Sequence, residues 1–455
     1  MSTRSNPSRR AFLKGSATVA AGVSLAGSLS KSLAGSLTID RMAHAGGSGQ
    51  RKVALIGCGG RGTGAAGNHL DAAAELGDDV KIIAVADAFP DNAARAAGIL
   101  TKHYPKATDI PPERIFDGFD AYRKAIASGA DTIIMATSPG FRPIHYKAAV
   151  EAGKNIFMEK PCCTDAPGYR MLLEANKLAE EKNLKVGVGF QRRHTPSYVE
   201  TVKRIHDGTI GEILLLRGYW NGNGIWFRER KPDMTEMAYQ VRNWYHFVWL
   251  CGDNIAEQHV HNLDVCNWVK DAHPVEANGM GSCIQRYKGR DPKKGMGQIF
   301  DNHFVEFTYA DGSKLYSQCR QIPGTFTSVS EAVHGTKGTA DPSGSIKVAG
   351  GEEWKYQAPK GKKSFNAMVQ EHKDLITAIR KNEKYMEGHR GASSSFTAVL
   401  GRMATYSGQV VKWDEAAAKG PSEMPERFAW DANPKAMPDA QGNYPIAIPG
   451  LYKAY

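Results

Sequence analysis

The stretch from Lys52 to Asp87 constrains this chain more than any other. An apolar run, Val53-Ala54-Leu55-Ile56, leads straight into Gly57-Cys58-Gly59-Gly60-Arg61-Gly62, a G-x-G-x-x-G. Small residues then follow a helical pattern to about Leu76, and a second strand-like run from Val80 ends at Asp87. This is the order of a βαβ dinucleotide site. Gly57 permits the tight turn out of the strand, and Gly59 lets the backbone approach a pyrophosphate. Gly62 allows close helix–sheet packing, and the helix N-terminus faces the phosphates. Asp87 ends the second strand, where a carboxylate can hold both ribose hydroxyls. Three glycines alone would mean little in a chain with 48 Gly. Their place between two strands and ahead of a strand-end Asp gives the dinucleotide reading its weight.

The N-terminal segment reads as an export signal. Ser8-Arg9-Arg10-Ala11-Phe12-Leu13-Lys14 is a twin-arginine pattern, a mild apolar region runs from Ala17 to Leu29, and Ala43-His44-Ala45 has the form of a cleavage site. The apolar part is rich in Gly, Ser and Ala and falls short of the ~20 residues of a membrane-spanning helix. Residues 1–45 therefore read as a twin-arginine signal peptide, with the Tat translocon as transient partner and a periplasmic or otherwise exported destination. No later segment is long and apolar enough to predict a stable membrane span. The twin-arginine route passes proteins already folded, which suits a cofactor loaded before export.

The remaining 410 residues, 42% of the whole chain being hydrophobic, supply material for two domains at the usual ~100–200 residues each. The formal charge of +11 shrinks once the signal is removed: residues 46–455 hold 52 Lys and Arg against 46 Asp and Glu, a net of +6. No basic block with interleaved aromatics occurs, so nucleic acid is not an expected partner. The seven Cys are scattered without C-x-x-C spacing. They predict neither a zinc site nor a disulfide framework, and read mostly as small core residues.

After the fingerprint, strands and helices alternate. Asp91 to Tyr104 reads as a helix, and Asp131 to Thr137 as a strand apolar on both faces, ending in Ser138-Pro139. A helix from about Ile144 carries His145. The strand Asn155 to Met158 ends in Glu159-Lys160-Pro161, and after another helix Lys185 to Phe190 closes the series. This alternation predicts a doubly wound parallel sheet over residues 46–190, a Rossmann domain with its ligands at the carboxyl ends of the strands. Asp87, Thr137-Ser138-Pro139, Glu159-Lys160 and Gln191 all fall at such ends. The pattern changes over residues 191–455, which read as a second α/β domain with a large, mostly antiparallel sheet. Its expected strands include Ile213 to Trp220, Val275 to Arg286, Asn302 to Tyr309 and Ser313 to Arg320. Its expected helices are Ile255 to Val269, Asn366 to Lys381 and Ser393 to Val411, followed by a Pro-rich tail after Trp413 that wraps the surface. The segment Asn221 to Met234, rich in Gly, Arg and aromatics, reads as a loop near substrate.

The ordered set of motifs resembles the glucose-fructose oxidoreductase / inositol dehydrogenase / MocA (Gfo/Idh/MocA) family of NAD(P)-dependent oxidoreductases. The matching residues are Gly57-x-Gly59-x-x-Gly62, Asp87, Ala136-Thr137-Ser138-Pro139 followed by His145, and Glu159-Lys160-Pro161. Gly189-Phe190-Gln191-Arg192-Arg193, Glu257-x-x-x-His261-x-x-Asp264 and the late segment from Leu400 through Asp414 also match. Many members have Asp where this chain has Glu257.

The resemblance implies a nicotinamide cofactor held by Gly57, Gly59, Gly60, Arg61, Gly62, Asp87, Thr137, Ser138, Pro139, His145, Glu159, Lys160 and Gln191. It implies Lys160 as the residue that polarises a substrate hydroxyl or shuttles its proton; taken alone, Glu159-Lys160-Pro161 reads equally as a solvated turn. Oxidising a secondary alcohol needs a proton acceptor and a hydride acceptor at one carbinol. His261 and Glu257 stand four apart on an expected helix, so that Glu257 would orient the imidazole. Two His at i, i+2 do not share a helical face, so His259 and His261 are not expected to bind metal. Trp220, Trp226, Trp244 and Tyr245 read either as a sugar-stacking platform or as ordinary core; Arg192 and His259 complete the candidate substrate residues.

These features predict an exported oxidoreductase acting on a sugar or polyol. Asp87 favours NAD over NADP, because its carboxylate would face the 2′-phosphate. No free NAD pool exists outside the cytoplasm, so the cofactor is expected to be tightly bound and regenerated in place. A redox-neutral glycosidase, cycling through oxidation, elimination, hydration and reduction, meets the same constraint. A catalytically silent nucleotide-binding protein is the third alternative, opposed by the presence of both Lys160 and His261. The resemblance and an uncovered sheet face together imply a homodimer or homotetramer.

Overall fold

The computed structural model describes residues 49–283, 297–359 and 365–455. The twin-arginine pattern, the expected cleavage site and the end of the expected strand to Arg286 lie outside the described residues. Among the described residues no helix is long and apolar enough to cross a membrane.

Gln50–Tyr455 forms one compact unit built on two sheets. The first contains β1 (Arg51–Ile56), β2 (Val80–Asp87), β3 (Ile115–Asp117), β4 (Thr132–Met135), β5 (Asn155–Met158) and β6 (Val186–Val188). Their order is β3-β2-β1-β4-β5-β6, every pair parallel. The core of β1, Val53 to Ile56, is at most 2% exposed, as a strand with both faces covered requires. The covering helices are α1 (Gly60–Glu75), α2 (Pro90–His103), α3 (Ala121–Ala127), α4 (Arg142–Glu151) and α5 (Ala166–Glu181). The strand order reverses between β1 and β4, which opens a crevice at their carboxyl ends.

After α6 (Pro196–His206) the second sheet begins with β7 (Ile213–Gly222). Beyond it come α7 (Glu236–Arg242), α8 (Val248–Cys251), α9 (Asn254–Glu257) and α10 (Val260–Lys270). The remaining strands are β8 (Glu276–Ser282), β9 (Asn302–Thr308), β10 (Lys314–Gln321), β11 (Ser328–Gly335), β12 (Gly338–Asp341), β13 (Ser345–Val348), β14 (Glu353–Lys355) and β15 (Val411–Lys412). The order β14-β13-β12-β11-β7-β10-β9-β8-β15 is antiparallel throughout except at β7–β10. Along β9 and β10 buried and half-buried residues alternate strictly, the pattern of a sheet covered on one face. The other face leaves Met280 exposed, opposite the half-buried Phe304 of β9, whose ring lies 6.2 Å from that of Tyr316 in β10.

Two late helices tie the sheets together. In α11 (Ala367–Lys381), Leu375 packs against Gly187 of β6, and the ring of His372 lies 3.9 Å from that of Phe157 in β5. A sheet buried on both faces must borrow cover where its own crossover helices leave a gap, so this part of the expected second domain completes the first. Almost every residue of α12 (Gly388–Ser407) is buried. A Cβ on Gly391 would meet Val188 at 3.0 Å, and one on Gly401 would meet Phe307 at 2.8 Å, so α12 fits between the two sheets only where it is narrow.

The helix expected over Ile255 to Val269 is interrupted: α9 ends at Glu257 and α10 starts at Val260. His259 at the break is fully buried, with Nε2 2.7 Å from Ser317 Oγ on β10. After α13 (Trp413–Lys419) the tail has no regular element, yet Trp430 packs 4.4 Å from Phe119 and 5.0 Å from Phe89. Tyr444 is buried beside Tyr239 and Phe247.

Candidate active site

The turn after β1 shows why its glycines are needed. Gly57 has φ +98°, and a Cβ there would stand 2.4 Å from the carbonyl carbon of Ala136. A Cβ on Gly62 would stand 1.8 Å from Gly57 O. At Gly59, by contrast, a Cβ would meet nothing within 4 Å: the backbone here is open to a ligand. Gly59 caps α1 without any side-chain acceptor, and no acidic residue lies in the first turn. The amides of that turn are donors for an anion.

Asp87 Oδ2 accepts from the Cys58 N–H at 2.7 Å, and Oδ1 accepts from the Phe89 N–H at 2.9 Å and from Asn92 Nδ2 at 3.1 Å. The carboxylate thus ties the glycine turn to the end of β2. Beside it lies a cavity of about 140 Å³ lined by Asp87, Phe89, Asn92 and Arg95. Burial pushes the Cys58 thiol well up, so it is no nucleophile.

A larger cleft of about 460 Å³ continues from this cavity along Gly59, Gly60, Thr137 and Ser138. Arg61, Gly62 and Pro139 line it as well, and Lys160, Gln191, Glu257 and His261 meet there. Lys160 Nζ donates to the Glu257 backbone oxygen at 2.5 Å and to Glu257 Oε1 at 3.2 Å. Burial raises the Glu257 carboxyl, opposed by the nearby Lys160 and Arg142 cations. His261 is driven well below its ordinary pKa, first by burial and then by Lys160, Arg192 and Arg61. Its imidazole is therefore neutral at physiological pH, and Nδ1 has no hydrogen-bond partner among the described residues. The ring lies over Trp220, centroids 6.0 Å apart, with Phe190 edge-on at 6.1 Å.

The expected pairing of Glu257 with His261 is corrected by this geometry. The chain breaks between α9 and α10, so the four-residue spacing does not place both side chains on one helix, and Glu257 turns to Lys160. Other expected site residues serve the framework. His145 does not line the cleft: it is buried behind Thr137, 3.4 Å from Thr137 Oγ1, stacked on Tyr122 and lowered to about 3 by burial. Arg192 forms an ion pair with the buried Glu331. Tyr245 packs with Val248, Cys251 and Phe300 in the core, and Trp220 serves as support behind His261. His259 is locked between Asn262 and Ser317 and lowered to about 3 by burial. Of the aromatic candidates, Trp226 and Trp244 do line the cleft.

Sequence reasoning missed four lining residues. Arg142 is buried, and its guanidinium donates to the backbone oxygens of Thr137 and Pro161, fixing two strand-end loops. Glu371 and Met368 arrive from α11, a helix expected elsewhere. Burial and then the neighbouring Glu159 hold the Glu371 carboxyl well above its ordinary value. Glu159 itself is paired with Arg61, Nε to Oε1 2.7 Å. The fourth is Arg228, from the loop after β7. Only the loop's Gly, Arg and aromatic composition pointed toward it.

Comparison with known proteins agrees with this geometry. Residues 51–190 match the GFO_IDH_MocA model, described as an oxidoreductase family with an NAD-binding Rossmann fold. The chain is 30% identical to the inositol 2-dehydrogenase of Gluconacetobacter diazotrophicus over 224 residues, 49% of this chain and 56% of that protein. It is 26% identical to the inositol 2-dehydrogenase of Rhizobium meliloti over 313 residues, 67% of this chain and 82% of that one. With the first of these it shares an alignment spanning only about half of the relative's length. Among solved structures, levoglucosan dehydrogenase in complex with NADH and levoglucosan superposes with a TM-score of 0.62 at 17% identity, over 80% of this chain and 99% of that one. The aldose-aldose oxidoreductase of Caulobacter crescentus superposes with a TM-score of 0.60, also at 17% identity, over 80% and 99%. Such likeness establishes that the two-sheet architecture is shared. Residues 51–190 of this chain thus match the model of that oxidoreductase family and carry the six-stranded parallel sheet of a Rossmann fold.

Proposed function

We propose that this chain is an exported oxidoreductase that uses tightly held NAD to oxidise a secondary alcohol of a sugar or polyol. The observation that carries the reading is the meeting of Lys160, His261 and the dinucleotide turn in one cleft. NAD, when bound, supplies the hydride acceptor for the carbinol carbon. The open backbone at Gly59 and the uncapped start of α1 fit its pyrophosphate, and the cavity beside Asp87 fits its adenosine end. In the larger cleft the neutral His261 imidazole offers an acceptor for the hydroxyl proton. Lys160, steered by Glu257, donates an N–H toward the alcohol oxygen and stabilises the negative charge that develops there. Trp226 and Trp244 line the same cleft and supply aromatic surface suited to the C–H face of a sugar.

The names of the relatives, inositol and levoglucosan dehydrogenases, support a cyclic polyol or sugar substrate. Asp87 supports NAD over NADP, and the twin-arginine pattern at Arg9-Arg10 supports export. Cofactor retention is supported by Trp244 and Arg242, which come from beyond β7 and line the adenosine cavity. The test is to incubate the purified protein with free sugars, polyols and aryl glycosides while following reduced nicotinamide and aglycone together. Reduced nicotinamide without aglycone release supports the oxidoreductase. Aglycone release without net reduction points to the redox-neutral glycosidase, and neither signal leaves a silent nucleotide-binding protein.

A further inference from the structure

We propose that Arg228, carried by the second sheet's loop, closes over the pyrophosphate of the bound dinucleotide and is the cation that holds it. The proposal rests on the NAD reading above and adds a residue outside the family's nucleotide-binding segment to the cofactor site.

The two cavities that would hold the ends of the dinucleotide share a waist. Gly59, Gly60, Thr137 and Ser138 form one side of it, and Arg228 with Trp244 lines both cavities from the other. The two phosphates joining the ends of the dinucleotide have to pass this waist. On the first side they meet the uncapped amides of α1, which carry no full positive charge.

Six cationic side chains line the two cavities, and five are already engaged. Arg61 pairs with Glu159 at 2.7 Å, and Lys160 bonds Glu257. Arg142 is spent on the backbone oxygens of Thr137 and Pro161. Arg242 pairs with Asp91 through two bonds of 2.7 and 2.9 Å, and Arg95 donates to Asn92 at 2.9 Å. Arg228 alone among them has a guanidinium with no hydrogen bond or ion pair among the described residues; it lies over the Trp226 ring, 5.5 Å from its centre.

Its backbone, by contrast, is fixed. The Arg228 N–H donates to Asn243 Oδ1 at 2.9 Å, and Asn243 Nδ2 donates back to Arg228 O at 3.0 Å. Asn243 is 1% exposed. Two residues earlier, Trp226 O lies 2.7 Å from His246 Nε2. An exposed loop is therefore clasped on both sides of residue 227 so that one unpaired cation faces the waist. This is the arrangement expected of a group waiting for an anion.

The test is equilibrium binding to the full chain, freed of nucleotide, of NAD, ADP-ribose and adenosine. ADP-ribose carries the pyrophosphate without the nicotinamide, and adenosine carries neither. Arg228→Gln is expected to weaken NAD and ADP-ribose alike, by about 10- to 100-fold for a lost charge-assisted bond. Adenosine binding stays unchanged, Arg228→Lys recovers part of the loss, and the difference narrows as salt is raised. Unfolding of nucleotide-free Arg228→Gln matches the parent to within the small contribution of the Trp226 contact, because the guanidinium makes no hydrogen bond or ion pair among the described residues. If that variant is unstable, Arg228→Lys carries the comparison through its salt dependence. Unchanged affinity of Arg228→Gln for NAD and ADP-ribose overturns the proposal and leaves the NAD reading standing. An equal loss for adenosine also overturns it, showing a collapsed loop. Failure of the parent to bind NAD at all overturns both.

Discussion

Lys160 could be singled out from sequence only by its family motif, since a strand-end Glu-Lys-Pro is also an ordinary turn. Its partner could not be read at all. Glu257 stands four residues before His261, a spacing that favours contact on a continuous helix. The break at His259 sends Glu257 to Lys160 instead. The break follows from burial of the His259 ring against Ser317, a contact across the fold that spacing cannot reveal. Glu257→Gln should therefore act through Lys160. Turnover should fall by ~10-fold, the scale of one charge-assisted bond, while the bond to the Glu257 backbone oxygen survives. A double variant checks this: Glu257→Gln added to Lys160→Met should slow nicotinamide reduction no further than Lys160→Met alone, and additive losses would separate the two residues. Asp87 governs a second outcome. Nucleotide released by denaturing the purified protein should be NAD, and recovery of NADP would refute the role given to that carboxylate.

Among the elements, β1, β2, β4, β5 and β6 and the helices α1, α2, α4 and α5 were legible because apolar runs alternate with helical periods, whereas the three-residue β3 and the short α3 were not. Nor were the strands from β11 to β14. Sequences such as Ser328-Val329-Ser330-Glu331 carry little apolar alternation and gain their place by pairing with β7. Nor could periodicity show that α11 leaves the second sheet to cover the first. One device holds α11 and α12 to the turn carrying Gln191. His194 Nδ1 lies 2.6 Å from Asp374, and Nε2 lies 3.4 Å from Glu387. Although burial alone would lower it, these two carboxylates raise His194 to about 9. A pKa raised on folding stabilises fully below the unfolded value of about 6.5, and that contribution is lost as pH rises through 9. The expected size is ~3 kcal/mol at most, at 1.36 kcal/mol per unit. Denaturant unfolding of the parent and of His194→Gln should thus differ most near pH 6 and converge above pH 9; a gap that widens with pH would refute the assignment.

At the scale of the whole molecule, both sheets were legible, while the traffic between them was not. The second sheet's uncovered face carries the exposed Met280 opposite Phe304, with Tyr316 beside it, and apolar surface of this kind marks an interface. Light scattering at micromolar protein should give a dimer or tetramer, and Met280→Lys with Tyr316→Lys should shift it toward monomer; a monomeric parent would contradict this. The central claim is that one cleft brings a held NAD and a substrate hydroxyl to Lys160 and His261. Its most direct test is the rate of nicotinamide reduction in NAD-loaded parent and Lys160→Met, on a sugar or polyol that the parent oxidises. The account predicts equal NAD binding and a rate lowered by about 10²- to 10⁴-fold, as for acid–base groups. His261→Ala should be slowed similarly, and the double variant by less than the product of the two losses. Lys160→Met reducing its cofactor at the parent's rate would contradict it.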